Sequence, residues 1–371
     1  MKKILIITAF VPSRNAGGTI FTKSLIHDLK KDFSVDVFVI TTEHIDNQKS
    51  VDKNIVVHKI NRFWFYMKSL LFFFLNPLFI RRFSWKTLIQ LKKLVAKNNY
   101  DVIFFDYSQM FLYSLFFSQE KKILSYHDVM FQKFTREQFP YNLLSFPTYI
   151  FEYMFSKQPN VLFITPSEKD SGLLKKIYHQ ESTFVNYYLN DYVLSLQKAN
   201  VTIREKKYFV FFGDWSRAEN KEGLKWFIEC VQNQNILEFE FLIIGKALDE
   251  HLQRKIITLK NFTYLGFVEN PYEIISNAIA LIAPIFKGAG IKIKVIEALA
   301  CGTPVLGTEI AFEGLPKRFE KYLILCQAFD DYVHFIRKLQ LGEAEKKSLR
   351  NDFIEYYNTN TAGNFIRSVL N

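Results

Sequence analysis

Cysteine is scarce in this chain, with three residues in 371: Cys230, Cys301 and Cys326. None stands at a metal-ligand spacing. The odd number speaks against a framework of paired disulfides and fits a reducing compartment. Glycine (14) and proline (10) are too few for a collagen-like chain. There is no short internal repeat and no low-complexity tract. A clean membrane span is also missing. The long apolar run 63–80, FWFYMKSLLFFFLNPLFI, is interrupted by Lys68, Asn76 and Pro77 and flanked by Arg62, Arg81 and Arg82. That pattern suits a helix on a membrane surface or an aromatic core helix, and it does not suit a helix crossing the bilayer. The opening MKKILIITAF places two lysines before an apolar run, as a secretory signal does, but it is short and lacks a small-residue cleavage site. A buried first strand is expected there.

What is present is an ordinary globular composition, 49% hydrophobic and 23% charged, in a chain long enough for two domains. The formal charge of +11 favours anionic partners: nucleic acid, anionic lipid or a phosphorylated substrate. Short apolar runs alternate with amphipathic stretches. Strands are expected at 3–9, 35–41, 55–59, 101–105, 122–126 and 161–165, with helices such as 19–31 and 85–98 between them. A polar stretch at 190–206 reads as a linker. A second series follows at 208–212, 239–244, 262–265, 279–283, 304–307 and 322–326, and charged helices close the chain from about 329. Both-sides-apolar strands alternating with helices indicate an α/β protein with parallel sheets, in two successive Rossmann-like halves.

Open parallel sheets bind ligands at the carboxyl ends of their strands, so the loops there carry the chemistry. After the first strand comes FVPSRNAGGTIFTKSL, where Gly17 and Gly18 precede a helix whose amino terminus favours an anion. The pattern is neither G-x-G-x-x-G nor a P-loop. The richer stretch is 284–307, PIFKGAGIKIKVIEALACGTPVLG. Gly288 and Gly290 lie between a strand and a helix, Lys292 and Lys294 fall at the helix start, and Glu297 follows one turn on. Glycines and a helix amino terminus can cradle a diphosphate, a lysine adds charge, and a carboxylate can accept two ribose hydroxyls.

This stretch resembles the nucleotide-diphospho-sugar site of the group 1 glycosyltransferases, the retaining GT-B class. Gly288, Gly290, Lys294 and Glu297 fit the family's Gly-x-Gly-x-x-x-Lys-x-x-Glu-Ala version, while the more usual first glutamate falls on Ala289. The segment FFGDWSRAENKEGLKWF (211–227), with Gly213, resembles the loop that opens the family's second domain. The family's arginine position there is Asp214, which leaves Arg217, Lys221 or Lys294 as the cation for the diphosphate. LSYHDVMFQKFTRE (124–137) resembles the loop that carries a histidine into the interdomain cleft, here His127, and TPSEKDSGLL (165–174) resembles the end of the first domain.

The resemblance implies a GT-B fold of two Rossmann-like domains facing a central cleft. Residues 1–190 would take the acceptor and 206–350 the nucleotide sugar, with 351–371 a helix packing back toward the first domain. It implies sugar transfer, with retention, from a nucleoside diphosphate to a hydroxyl of a lipid-linked or surface-polysaccharide glycan. His127 would orient sugar or acceptor. The donor would be held by Gly17, Gly18, Gly213, Arg217, Gly288, Gly290, Lys294 and Glu297. No cofactor and no bound metal are called for, and no Asp-x-Asp motif is evident. A bacterial, cytoplasmic chain, peripheral on the inner face of the cell membrane and attracted to its anionic lipid, is the matching location. Two rivals are a nucleotide-sugar epimerase of the same fold and a basic nucleic-acid-binding protein, although no nucleic-acid-binding signature is visible.

Overall fold

The structure is a computed structural model that describes residues 1–12, 17–42, 55–196, 207–231 and 239–371. The chain forms two compact units, one of residues 1–188 with 360–371 and one of residues 189–359.

The first unit is built on β1 (Lys3–Thr8), β2 (Ser34–Thr41), β3 (Ile55–Lys59), β4 (Val102–Asp106), β5 (Lys122–Ser125), β6 (Val161–Thr165) and β7 (Thr183–Phe184). All pairings are parallel, in the order β3-β2-β1-β4-β5-β6-β7. Its helices are α1 (Gly17–Leu29), α2 (Arg62–Leu71), α3 (Pro77–Ile80), α4 (Trp85–Asn98), α5 (Phe111–Ser114), α6 (Met130–Thr135), α7 (Ser145–Ser156) and α8 (Glu168–Tyr178). β1 and β4 are buried almost throughout, which is why their sequences, KILIIT and VIFFD, are apolar on both faces. The amino-terminal run is thus a central strand.

The apolar run 63–80 is one of the places where structure and expectation part. It is broken into α2, a 3₁₀ turn (Phe73–Leu75) and α3. Asn76, at positive φ, accepts from the Leu78 backbone and starts α3 at Pro77. Among the described residues no helix is long and apolar enough to cross a membrane. Of the flanking arginines, Arg82 is buried, donating to Gln109 and to the Ile40 carbonyl, so its charge is not offered to lipid as the sequence suggested.

The second unit holds β8 (Tyr208–Phe212), β9 (Glu240–Ile244), β10 (Phe262–Gly266), β11 (Leu281–Ala283), β12 (Val305–Gly307) and β13 (Leu323–Leu325), all parallel, in the order β10-β9-β8-β11-β12-β13. Its helices are α9 (Asp191–Ser195), α10 (Ala218–Val231), α11 (Glu250–Ile257), α12 (Tyr272–Asn277), α13 (Ile293–Ala300), α14 (Phe329–Lys338) and α15 (Glu343–Thr359). The linker expected at 190–206 begins with α9, and 197–206 lie outside the described residues. α15 runs through the expected boundary at 350–351. Only 360–371, with α16 (Ala362–Leu370), belong with the first unit. There Arg367 grips Asp28 at 2.9 Å and Asp32 at 2.7 Å.

In each sheet the strand order reverses once, between β1 and β4 and between β8 and β11. These reversals open crevices at the carboxyl ends of the strands. The candidate residues cluster at those two ends.

Candidate functional site

In the second unit, β8 runs into Gly213 and then α10, while β11 runs into the turn 284–292 and then α13. Gly288 and Gly290 take φ of +111° and +69°, conformations that side chains disfavour, so these two glycines make the turn possible. Lys292, at the amino-terminal cap of α13, donates back to the carbonyls of Ala289 and Gly290. Lys294, in the first turn, points toward β8. Its ammonium donates to Asn220 Oδ1 at 2.7 Å, and a Cβ added at Gly213 would lie 3.6 Å from it. Asn220 in turn donates to the Asp214 carbonyl at 2.9 Å. The two loops are thereby stitched together. Burial pushes the Lys294 ammonium down to about 7; Glu219 works against this, and Arg217 and Lys292 repel the charge further.

The other two cations considered for the diphosphate sit differently. Arg217 is paired with Glu219 at 3.1 Å and is largely exposed. Lys221 lies 3.6 Å from Asp249. Asp214 closes a local turn. It accepts from the Ser216 amide at 3.0 Å and hydroxyl at 2.6 Å, and it lies 3.4 Å from Lys246. Burial would raise its pKa, but Ser216 and Lys246 together hold it below the usual carboxylate value.

Glu297 stands one turn past Lys294 and is buried. Tyr272 donates its hydroxyl to Glu297 Oε1 at 2.7 Å. Burial raises the Glu297 carboxyl to about 7, while the Tyr272 bond pulls the other way. With one protein donor among the described residues, the buried carboxylate keeps lone pairs for further donors, which is what recognition of vicinal hydroxyls needs.

The first unit gathers its own cluster. His127 follows β5, and its Nε2 lies 2.7 Å from Asp106 Oδ1, at the end of β4. Asp106 is fully buried and accepts through its other oxygen from the Thr8 hydroxyl of β1 and the Thr22 hydroxyl of α1. On the opposite edge of the ring, Nδ1 lies 3.1 Å from the Tyr187 hydroxyl. The imidazole stacks on Tyr107 with centroids 4.0 Å apart and planes within 6°. Tyr107 itself sits at φ +69°, an uncommon position for an aromatic residue. Burial keeps the Tyr187 phenol protonated, with its pKa well above the ordinary value. The Asp106 carboxylate can only accept, so the ring presents Nε2–H to it, while the Tyr187 hydroxyl faces Nδ1. Both ring nitrogens are therefore taken by protein groups. The ring also lines a small cavity of about 10 Å³, the size of one water, with Phe21, Thr165 and Tyr187.

Gly17 and Gly18 are the first two residues of α1, and residues 13–16 before them lie outside the described residues. Thr22, one turn on, ties that helix start to Asp106 and so to His127. The structure thus brings Gly17, Gly18 and His127 to one end of the first sheet. In the second unit it brings Gly213, Lys294, Gly288, Gly290 and Glu297 to one end of the sheet, with Arg217 and Lys221 turned to surface acids. Sequence reasoning missed Asp106, Tyr107, Tyr187, Asn220 and Tyr272. One signal was available: an aspartate closing an otherwise apolar strand, VIFFD, must find donors.

Residues 206–339 match the family described as glycosyl transferases group 1. Among solved structures, the sucrose-phosphate synthase of Thermosynechococcus elongatus superposes with a TM-score of 0.71 at 15% identity, over 100% of this chain and 99% of that one. WaaG, a glycosyltransferase involved in lipopolysaccharide biosynthesis, gives 0.61 at 12% identity, over 97% of this chain and 95% of that one. Anabaena HepE, solved in complex with UDP and glucose, gives 0.64 at 11% identity, over 100% and 98% respectively. No curated protein matches the sequence. At such identities the likeness establishes the fold, two parallel α/β sheets of the GT-B kind.

Proposed function

We propose that the chain moves a sugar from a nucleoside diphosphate to an acceptor hydroxyl, with retention of anomeric configuration, a reading that starts from the match of residues 206–339 to the group 1 glycosyltransferases. The observation that carries this reading is the convergence of Lys294, Asn220 and Gly213 beside the glycine turn 288–290, with Glu297 one turn away. The diphosphate lies against Lys294 and the start of α13, and the ribose hydroxyls donate to Glu297. As the anomeric carbon–oxygen bond breaks, charge grows on the leaving diphosphate, where the lysine and the turn's backbone amides stabilise it. HepE, of the same fold, has been solved with UDP-glucose, which supports a nucleotide-sugar donor.

In the first unit, Asp106 fixes the His127 ring. With both nitrogens engaged, the ring serves as a rigid wall for sugar or acceptor and not as a formal base. The acceptor is a lipid-linked or surface-polysaccharide glycan, and the chain works as a peripheral protein on the cytoplasmic face of the membrane. WaaG, involved in lipopolysaccharide biosynthesis, and WaaB, a lipopolysaccharide outer core galactosyltransferase, share the fold and support this choice. The test is a thermal-shift screen of UDP-, GDP-, dTDP- and CMP-sugars, followed by product analysis with the stabilising donor. Stabilisation by one donor class, and its slow hydrolysis without acceptor, is expected. No stabilisation by any of them would overturn the reading.

A further inference from the structure

The first unit carries an apolar face assembled from two distant segments. α2 buries Phe65 and turns Phe63, Trp64 and Leu70 outward, and the 3₁₀ turn behind it leaves Phe74 80% exposed. The second segment is a 3₁₀ turn (Tyr141–Leu144) running into α7, where Tyr141 and Phe146 are exposed, Phe146 at 71%. The two are fastened from beneath. Asn76 donates to the Thr148 hydroxyl at 2.6 Å, both buried, and Phe79 packs on Phe151 and Phe155 at 5.1 and 5.4 Å between centroids. Their inward faces make a core, while Phe63 and Trp64 meet edge to face, as do Phe73 and Phe74, on the outward side.

The two segments themselves are poor in acids. Residues 55–100 contain nine lysines and arginines and no aspartate or glutamate. Residues 138–157 contain a single acid, Glu152, which is buried and accepts from the Met130 and Phe131 amides and the Tyr178 hydroxyl. Trp85, Lys86, Lys92 and Lys93 on α4 are exposed, and Lys68 ties α2 to the start of α4 through the Phe83 carbonyl. A second copy of this chain would bring like charges together. An anionic bilayer offers hydrocarbon for the aromatics and phosphate for the cations.

We propose that α2 with its 3₁₀ turn and the Tyr141–Ser156 segment form one bipartite docking surface for an anionic lipid bilayer. This rests on the peripheral-membrane part of the function proposed above and not on its transfer chemistry. The aromatics enter the headgroup boundary, and the α4 lysines meet lipid phosphates.

The test is co-sedimentation with vesicles of equimolar phosphatidylcholine and phosphatidylglycerol, against vesicles of phosphatidylcholine alone. The parent should bind the anionic vesicles and bind the neutral ones weakly. Replacing Tyr141 and Phe146 by serine should weaken binding about tenfold, because transfer of both rings is lost. Replacing Lys86, Lys92 and Lys93 by glutamine should weaken it at low salt, with the difference closing as salt rises. All these side chains are exposed, so melting curves of the variants should overlay the parent. Should one not fold, the blue shift of Trp64 emission on adding anionic vesicles, read as parent minus Trp64→Phe, gives the same answer. A parent that ignores anionic vesicles would overturn the proposal, as would a Tyr141/Phe146 variant that binds like the parent. A parent dimer that the serine variant dissociates, without vesicle binding, would assign the face to self-association instead. Nucleotide-sugar stabilisation measured without lipid on the same samples separates failure of this proposal from failure of the donor reading.

Discussion

The Lys294 ammonium is held 2.7 Å from Asn220 Oδ1, which ties the first turn of α13 to the helix that follows β8. The two residues are 74 positions apart, and their contact links the segments that follow β8 and β11. Asn220 acts by keeping a half-buried cation aimed beside Gly213. Asn220→Ala should therefore weaken nucleoside-diphosphate binding by about 1–2 kcal/mol while barely changing nucleoside-monophosphate binding. Calorimetric titration with both ligands checks this. Equal losses for the two would move Lys294 away from the leaving phosphate.

A second expectation concerns Glu297 and its donor Tyr272. Glu297→Ala should raise the donor KM, with a loss of roughly 1–3 kcal/mol for a buried charge-assisted bond. Tyr272→Phe should give a smaller loss, since it removes a bond to the carboxylate and leaves the carboxylate itself. Steady-state kinetics on folded variants, confirmed by melting, decides. A donor KM untouched by Glu297→Ala removes the ribose role.

The pH dependence of donor binding follows from two groups poised near neutrality. Burial lowers the Lys294 ammonium to about 7, and burial raises the Glu297 carboxyl to about 7. The charged lysine favours the diphosphate, so affinity falls as pH rises and the proton leaves Lys294. The ionised glutamate favours the ribose, so affinity falls as pH drops and Glu297 takes a proton. Donor affinity should peak near neutral pH. Lys294→Met should flatten the alkaline limb and Glu297→Gln the acid limb. A limb that survives its own substitution belongs to another group.

In the first unit Asp106 should govern His127. Asp106→Asn removes the carboxylate that accepts from Nε2–H and should loosen the ring's hold, visible as a change in the nitrogen shifts of a His127-labelled protein. Transfer should fall by about 1–3 kcal/mol of activation energy, with donor binding in the second unit unchanged. Loss of donor binding in parallel would mean that the substitution damages the fold.

Much of the fold was legible because parallel strands buried on both faces write themselves as apolar runs. KILIIT, VIFFD and YFVFF were placed within a residue or so of their observed ends. β7 escaped because a two-residue edge strand, Thr183–Phe184, has no pattern to show. α9 escaped because five residues inside a polar stretch carry too little periodicity. In the run 63–80, composition alone left a surface helix and a core helix open. The structure shows both at once, Phe65 and Phe79 inward and Phe63 and Phe74 outward. The glycines, Lys294 and Glu297 stood out through local spacing. Their partners and that of His127 did not, because Asn220 meets Lys294, Tyr272 meets Glu297 and Asp106 meets His127 only across 74, 25 and 21 positions. No one-dimensional spacing encodes such contacts.

The central claim is that the second unit binds a nucleoside diphosphate through Lys294 and Glu297. It is tested most directly by calorimetric titration of UDP, GDP and dTDP into the parent, Lys294→Met and Glu297→Ala. One of the three should bind the parent, and each substitution should weaken it about tenfold or more, the equivalent of at least ~1.4 kcal/mol. Binding that is equal in all three proteins, or a parent that binds none of the nucleotides, would contradict the account.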